Sequence, residues 1–253
     1  MARDSRTASW PGIFIVFEGI DGSGKSTAAT AVARRLREEG AHEVVLTREP
    51  GGTPLGEGVR SIVLSAASTG ITPVAELLLF SAARAQHVAD VIEPQLQRGS
   101  IIICDRFTDS TLAYQWGGRG VPRETIEAAQ SLATNGVTPD LRVLLDAPVP
   151  VALARRHADA ESVDRFDAEE TAFHQSVRDT YLALVAASSD EWLVIDAGPP
   201  QREVLETTYR LVADWIEQFQ ANRSGALSLK QHRNGGSASS APECTEPKMV
   251  GYP

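Results

Sequence analysis

Phe17-Glu18-Gly19-Ile20-Asp21-Gly22-Ser23-Gly24-Lys25-Ser26-Thr27 contains G-x-x-x-x-G-K-[ST], with Gly19, Gly24, Lys25 and Ser26 in the fixed places. The apolar run Ile13-Phe14-Ile15-Val16-Phe17 before it reads as a buried strand. The residues after it read as a helix, with Ala29, Val32, Ala33 and Leu36 on one face and Gly40 past its end. Glycines allow the positive-φ backbone that turns successive N–H groups inward, and the helix N-terminus adds partial positive charge. A polyphosphate fits that cradle. Lys25 supplies a mobile cation and Ser26 a hydroxyl for Mg²⁺, so the loop predicts a nucleoside triphosphate with its metal.

Outward from this loop, the chain has 253 residues, 42% hydrophobic and 23% charged, ordinary values for one large α/β domain. The formal net charge of −9 argues against broad nucleic-acid binding. Cys104 lies in an apolar run and Cys244 in a polar tail, which argues against a structural disulfide and points to a reducing compartment. The first nine residues lack the apolar core of a signal peptide, and no run approaches the roughly 20 apolar residues of a membrane span. The expected setting is cytoplasmic, with no membrane or nucleic-acid partner.

Four more short apolar runs follow, Val44-Val45-Leu46, Ile101-Ile102-Ile103-Cys104, Val143-Leu144-Leu145 and Leu193-Val194-Ile195, separated by helical patterns. Helices are expected over 56–65, 74–97 (with a bend at Pro94), 123–133, 149–157, 166–187 and 201–220. This alternation predicts a five-stranded, mainly parallel sheet with helices on both faces and ligands at the carboxyl ends of the strands. Residues 1–11 read as a flexible leader and 12–220 as one domain. The Gly-, Ser-, Asn- and Pro-rich segment 221–253 reads as a disordered tail.

The cradle does not name the reaction. No N-K-x-D follows, so a guanine-binding switch is disfavoured. Asp105 and Arg106 stand at the tip of the third strand, where a carboxylate can hold the metal and a guanidinium a second phosphate. Ser110, Tyr114 and Gln115 follow at spacings that place them on one face of a short helix. Phe80 and Arg84, at i and i+4, share a face of the long helix, and a ring beside a guanidinium suits a planar base. The bland alternatives are a strand-end ion pair for Asp105 and Arg106, and a core ring beside a solvated charge for Phe80 and Arg84.

Taken together, Gly19 to Thr27, Thr47-Arg48-Glu49-Pro50-Gly51-Gly52-Thr53, Leu78-Leu79-Phe80-Ser81-Ala82-Ala83-Arg84 and Asp105-Arg106-Phe107-Thr108-Asp109-Ser110-Thr111-Leu112-Ala113-Tyr114-Gln115 resemble bacterial thymidylate kinase over about residues 13 to 219. Asp164-Arg165-Phe166-Asp167 is similar to that family's lid exit. The resemblance implies a P-loop nucleotide-kinase fold with a mobile lid at about 155–165. It implies transfer of the ATP γ-phosphoryl group to dTMP by a homodimer. It assigns Gly19, Asp21, Gly22, Ser23, Gly24, Lys25, Ser26, Thr27 and Arg165 to ATP, and Ser26 and Asp105 to Mg²⁺. It assigns Asp21, Arg48, Arg60, Phe80, Arg84, Arg106, Ser110, Thr111, Tyr114 and Gln115 to dTMP. Within that set Phe80 stacks on thymine, Arg84 donates to its O4, and Tyr114 lies near C2′. The acceptor oxygen is already ionised near neutral pH, so catalysis is positioning plus positive charge, carried by Lys25, Asp105, Arg106 and a lid arginine. In that family a glycine loop without a basic residue goes with a catalytic arginine in the lid; Ile20, Asp21, Gly22 and Ser23 are not basic, so the resemblance implies that the lid supplies that arginine. Arg156 is the first candidate, then Arg155 and Arg165, against the alternative that 155 and 156 only complement a helix dipole. Trp116 stands where relatives usually have glycine. A related nucleotide kinase, or a regulatory module on the same fold without acceptor turnover, is the competing reading.

Overall fold

The computed structural model describes residues 10–40, 43–65, 67–158, 166 and 169–234, the last ten of these as backbone only. The expected leader up to residue 9, most of the expected lid with Arg165, and the tail beyond 234 lie outside the described residues.

Five strands, β1 (Ile13–Glu18), β2 (Val44–Arg48), β3 (Ile101–Asp105), β4 (Leu141–Asp146) and β5 (Trp192–Asp196), form one sheet in the order β2-β3-β1-β4-β5. Every pairing is parallel, with Phe17 opposite Asp105 and Val143, so β1 and β3 end within one residue of each other and β4 runs two residues further, to Asp146. Parallel strands need crossover connections, and these are helical: α1 (Lys25–Glu38), α2 (Pro54–Leu64), α3 (Pro73–His87), α4 (Glu93–Arg98), the short α5 (Thr108–Thr111), α6 (Arg123–Thr134), α7 (Val149–Ala158) and α8 (Thr171–Ala187), while α9 (Gln201–Asn234) follows the last strand. Central β1 is buried at every position, as a strand covered on both faces should be, whereas edge strand β5 is buried only at Trp192 and Ile195. One face of the core packs Phe14, Val16, Ile102 and Cys104 against Val88, Ile92 and Leu96, with Phe14 and Phe107 edge to face at 5.0 Å. Each such ring contributes on the order of 2–3 kcal/mol by burial.

The helix boundaries follow capping chemistry. Thr53 and Thr72 accept from the N–H groups of Gly56 and Ala75, with Pro54 and Pro73 in the first turns. Three expectations are corrected. The helix over 74–97 is interrupted by a π-helical turn, Val88–Ile92, just before Pro94: proline has no N–H to donate and crowds the carbonyl four residues back, and the wider turn absorbs both. The helix expected from Phe166 starts at Thr171, and Phe166 sits in a turn. The last helix continues past Gln220 to Asn234, because Ala226, Leu227, Leu229, Lys230 and Gln231 are helix formers and the glycines cluster only from Gly235.

Chain contacts divide the protein into a unit up to Val212 and one from Ala213. In the second, Trp215 and Phe219 stack at 4.6 Å on α9.

Candidate active site

The phosphate cradle is set by two glycines. Gly24 adopts φ 90° as the N-cap of α1, a conformation L side chains rarely take. A Cβ on Gly22 would stand 2.1 Å from the Ala152 carbonyl oxygen, so α7 rests directly on the loop. Lys25 Nζ folds back toward Ile20 O at 3.5 Å and Asp21 Oδ1 at 3.4 Å, long contacts that phosphate oxygens can replace. Burial and the neighbouring Arg106 charge push its ammonium down, against the pull of Asp21 and Asp105. Ser26 Oγ donates to Asp105 Oδ2, and Asp105 Oδ1 is buried without a hydrogen-bond partner. A hydroxyl and a carboxylate with a free oxygen are the hard donors that suit Mg²⁺. The surrounding cleft, about 1330 Å³, is lined by the cradle, Arg48, Arg60, Arg106, Arg155 and Arg156.

Arg106 is the hinge between this cleft and a smaller pocket of about 100 Å³. Its φ of 74° is left-handed, a strained backbone for a non-glycine residue. The guanidinium spans four partners: Nη2 donates to Asp21 Oδ1 at 2.6 Å and Tyr114 Oη at 2.9 Å, and Nη1 to Ser110 Oγ at 3.0 Å and Tyr181 Oη at 3.3 Å. Tyr114 Oη in turn donates to Asp21 Oδ2 at 2.7 Å. Burial would raise the Asp21 carboxyl, but Arg106 and Lys25 outweigh it and hold it well below the usual carboxylate range. Behind this layer lies Glu18, fully buried, accepting from the N–H groups of Phe107 (2.9 Å) and Ser110 (3.3 Å) and from the hydroxyls of Ser110 (2.5 Å) and Tyr181 (2.8 Å). Burial and the Asp109 charge push its carboxyl up, against Arg106.

The smaller pocket is lined by Phe80, Arg84, Thr111, Tyr114, Gln115 and Phe166, among others. Arg84 is not a solvated charge. It is buried, with Nε on Glu49 Oε2 at 2.7 Å, Nη2 on the Phe107 carbonyl at 2.9 Å, and Nη1 buried without a partner. His87 holds the other Glu49 oxygen at 2.9 Å and the Thr47 hydroxyl at 2.7 Å. Gln115 Nε2 donates to Glu76 Oε1 at 2.8 Å. Ser110 and Tyr114 share Arg106, while Gln115 turns to Glu76, because residues Leu112–Gly118 form a π-helical stretch and not a continuous α-helix.

The arginines differ in their commitments. Arg48 is half-exposed and paired with both Glu57 oxygens at 3.1 and 3.2 Å, and it lines only the larger cleft. Arg60 lines both cavities and donates to the Pro50 carbonyl at 3.2 Å, and burial and the Arg48 charge push its guanidinium down. Arg155 donates to the carbonyls of Ala197, Gly198 and Pro199, which fastens α7 to the loop after β5. Arg156, half-buried at the cleft, is on the same helix. Trp116 packs with Leu77, Leu112, Val121 and Ile126, away from both cavities.

Sequence reasoning missed Glu18, Glu49, Glu76, His87, Tyr181 and Phe166. Glu18 adjoins Gly19, and Glu49 and Phe166 lie inside quoted motifs, so a signal existed there. Glu76, His87 and Tyr181 carried none. Among the described residues no helix is long and apolar enough to cross a membrane.

The thymidylate kinase family model matches residues 17–208. A thymidylate kinase of Trichlorobacter lovleyi is 48% identical over 190 residues, 73% of this chain and 89% of that protein. One from Thermomicrobium roseum is 47% identical, covering 83% of this chain and 97% of the relative, and one from Pseudomonas fluorescens 46%, covering 82% and 98%. A phosphate cradle opening onto a second pocket, in a chain matched over this span at this identity, leads to one conclusion: the chain belongs to the thymidylate kinase family.

Proposed function

We infer that this protein transfers the γ-phosphoryl group of ATP to dTMP, giving ADP and dTDP. One observation carries the reading: the triphosphate cradle and the smaller pocket share Asp21, Arg60 and Arg106, so two nucleotides meet phosphate to phosphate at a cluster of guanidinium groups. A regulatory module without turnover has no use for the second pocket.

The chemistry to overcome is repulsion between two anionic phosphates. Arg60 and Arg106 take the acceptor phosphate, and Lys25 with the loop N–H groups takes the donor. Asp21, anchored by Arg106 and Tyr114, faces the acceptor sugar, and Tyr114 closes its 2′ side. Phe80 stacks on the base and the free Nη1 of Arg84 donates to its O4. Ser26 and Asp105 would hold Mg²⁺, which would supply positive charge against the phosphates of ATP. Arg156, half-buried in the wall of the larger cleft, is the arginine that reaches the transferring group. A coupled ADP-release assay over a panel of nucleoside monophosphates tests the reading. Release should require dTMP, fall with dUMP, and stay low with UMP and CMP. Release indifferent to dTMP overturns it.

The protein acts as a cytoplasmic homodimer. Support comes from exposed Leu55 and Ile62 on α2, Val74 and Leu78 on α3 and Leu132 on α6, apolar residues on helices that pack α2 on α3 on α6. Leu78→Glu should halve the mass read by light scattering; an unchanged mass removes this face from the interface.

A further inference from the structure

A glutamine amide has two faces of opposite character, an oxygen that accepts and an NH₂ that donates. Gln115, 2% exposed in the wall of the smaller pocket, can read a base with either. The residue behind it decides which. Its Nε2 lies 2.8 Å from Oε1 of Glu76, and a carboxylate can only accept. That bond fixes the NH₂ end on the Glu76 side, and the carbonyl oxygen is the end left for the base.

Glu76 is itself immobilised. It is 1% exposed, lines neither cavity, and sits in the first turn of α3, where the helix N-terminus places partial positive charge beside it. Arg119 Nε stands 3.5 Å from the same oxygen, while Arg119 Nη1 holds Glu169 at 2.6 Å and the guanidinium lies over Phe173 at 4.7 Å. An orienting carboxylate with its own fixed counter-charge is more than the burial of an apolar helix requires.

We propose that Glu76, held by Arg119, is a specificity-determining positioning residue: by fixing Gln115 as an acceptor it selects a pyrimidine whose N3 carries hydrogen against one whose N3 is a bare lone pair. This rests on the smaller pocket taking a pyrimidine monophosphate. Thymine presents O4 as acceptor and N3–H as donor; cytosine presents the reverse pair. Arg84 reads the first position and the Glu76–Gln115 pair the second, so cytosine is refused twice, each time by leaving buried polar groups facing their own kind.

The test is the ratio of kcat/KM for dTMP to that for dCMP. In Glu76→Gln the new amide offers Gln115 either face, so Gln115 is free to turn. The ratio should fall about tenfold, the scale of one misplaced hydrogen bond, with the change in KM and not in kcat. The swap Glu76→Gln/Gln115→Glu reverses the pair, with the donor now at 76 and a residue at 115 that can only accept from the base, and the ratio should climb back toward the wild-type value. A purely structural Glu76 lowers melting temperature and depresses both substrates alike. An unmoved ratio in Glu76→Gln, or a swap that stays relaxed, overturns the proposal. Titration calorimetry with dTMP and dCMP reads the same ratio if turnover is lost. Wild-type protein inactive on dTMP overturns the functional reading as well, whereas an active wild type with an unmoved ratio overturns this proposal alone.

Discussion

Replacing Arg84 by alanine removes two different things, and they can be separated. The first is structural. Arg84 and Glu49 are 3% and 4% exposed and bonded at 2.7 Å, so truncation leaves a buried carboxylate with only His87 beside it. Breaking a buried pair from one side costs about 3–5 kcal/mol, a large share of the roughly 5–15 kcal/mol that holds a domain together. The second is recognition. If Nη1 donates to thymine O4, its loss is worth about 1.5–3 kcal/mol, or roughly 10- to 150-fold in kcat/KM for dTMP. Arg84→Ala should therefore show both a lower urea midpoint and a poorer dTMP response. Arg84→Ala/Glu49→Gln leaves no unpaired buried charge, so it should regain most of the stability and none of the dTMP response. KM for ATP should stay within about twofold in either variant, since no hydrogen bond to the phosphate cradle is lost. Urea unfolding and steady-state kinetics on the same preparations decide the matter. A double variant that recovers dTMP use together with stability would show that Arg84 only supports the fold.

Glu18 is raised above its ordinary value near 4.5, so the folded state holds that proton more tightly than the unfolded chain. Its contribution to stability is fully present below about pH 4.5 and declines as pH rises through the raised value; Glu18→Gln should flatten that decline in urea midpoints, and an unchanged slope refutes the assignment. Asp105→Asn should raise the Mg²⁺ needed for half-maximal rate about tenfold or more, read by metal titration; an unaltered requirement moves the metal elsewhere. Arg156→Ala should lower kcat by roughly 100-fold or more with dTMP binding retained, whereas Arg155→Ala should mainly lower the melting temperature; the opposite pattern reverses their roles.

Much was legible in the sequence because it depends on local chemistry. The strand–loop–helix around Gly19 to Ser26 declares itself through backbone freedom and charge within one stretch of chain. The five strands declare themselves through apolar runs long enough for a buried parallel sheet. Asp105 and Arg106 could be placed at a strand tip, and Phe80 with Arg84 on one helix face, from periodicity alone.

What only the tertiary structure decided is what those charges touch. Arg48, Arg60 and Arg155 look alike in sequence, yet Arg48 pairs with the Glu57 carboxylate, Arg60 donates to the Pro50 carbonyl, and Arg155 donates to the carbonyls of Ala197, Gly198 and Pro199. Glu76 and Tyr181 carry no local signal, because their partners, Gln115 and Glu18, stand 39 and 163 positions away in the chain. The π-turns at Val88–Ile92 and Leu112–Gly118 were equally invisible. Each depends on what packs against the helix, and pairing, burial and the orientation of a side-chain amide are properties of neighbours that the chain brings together only when it folds.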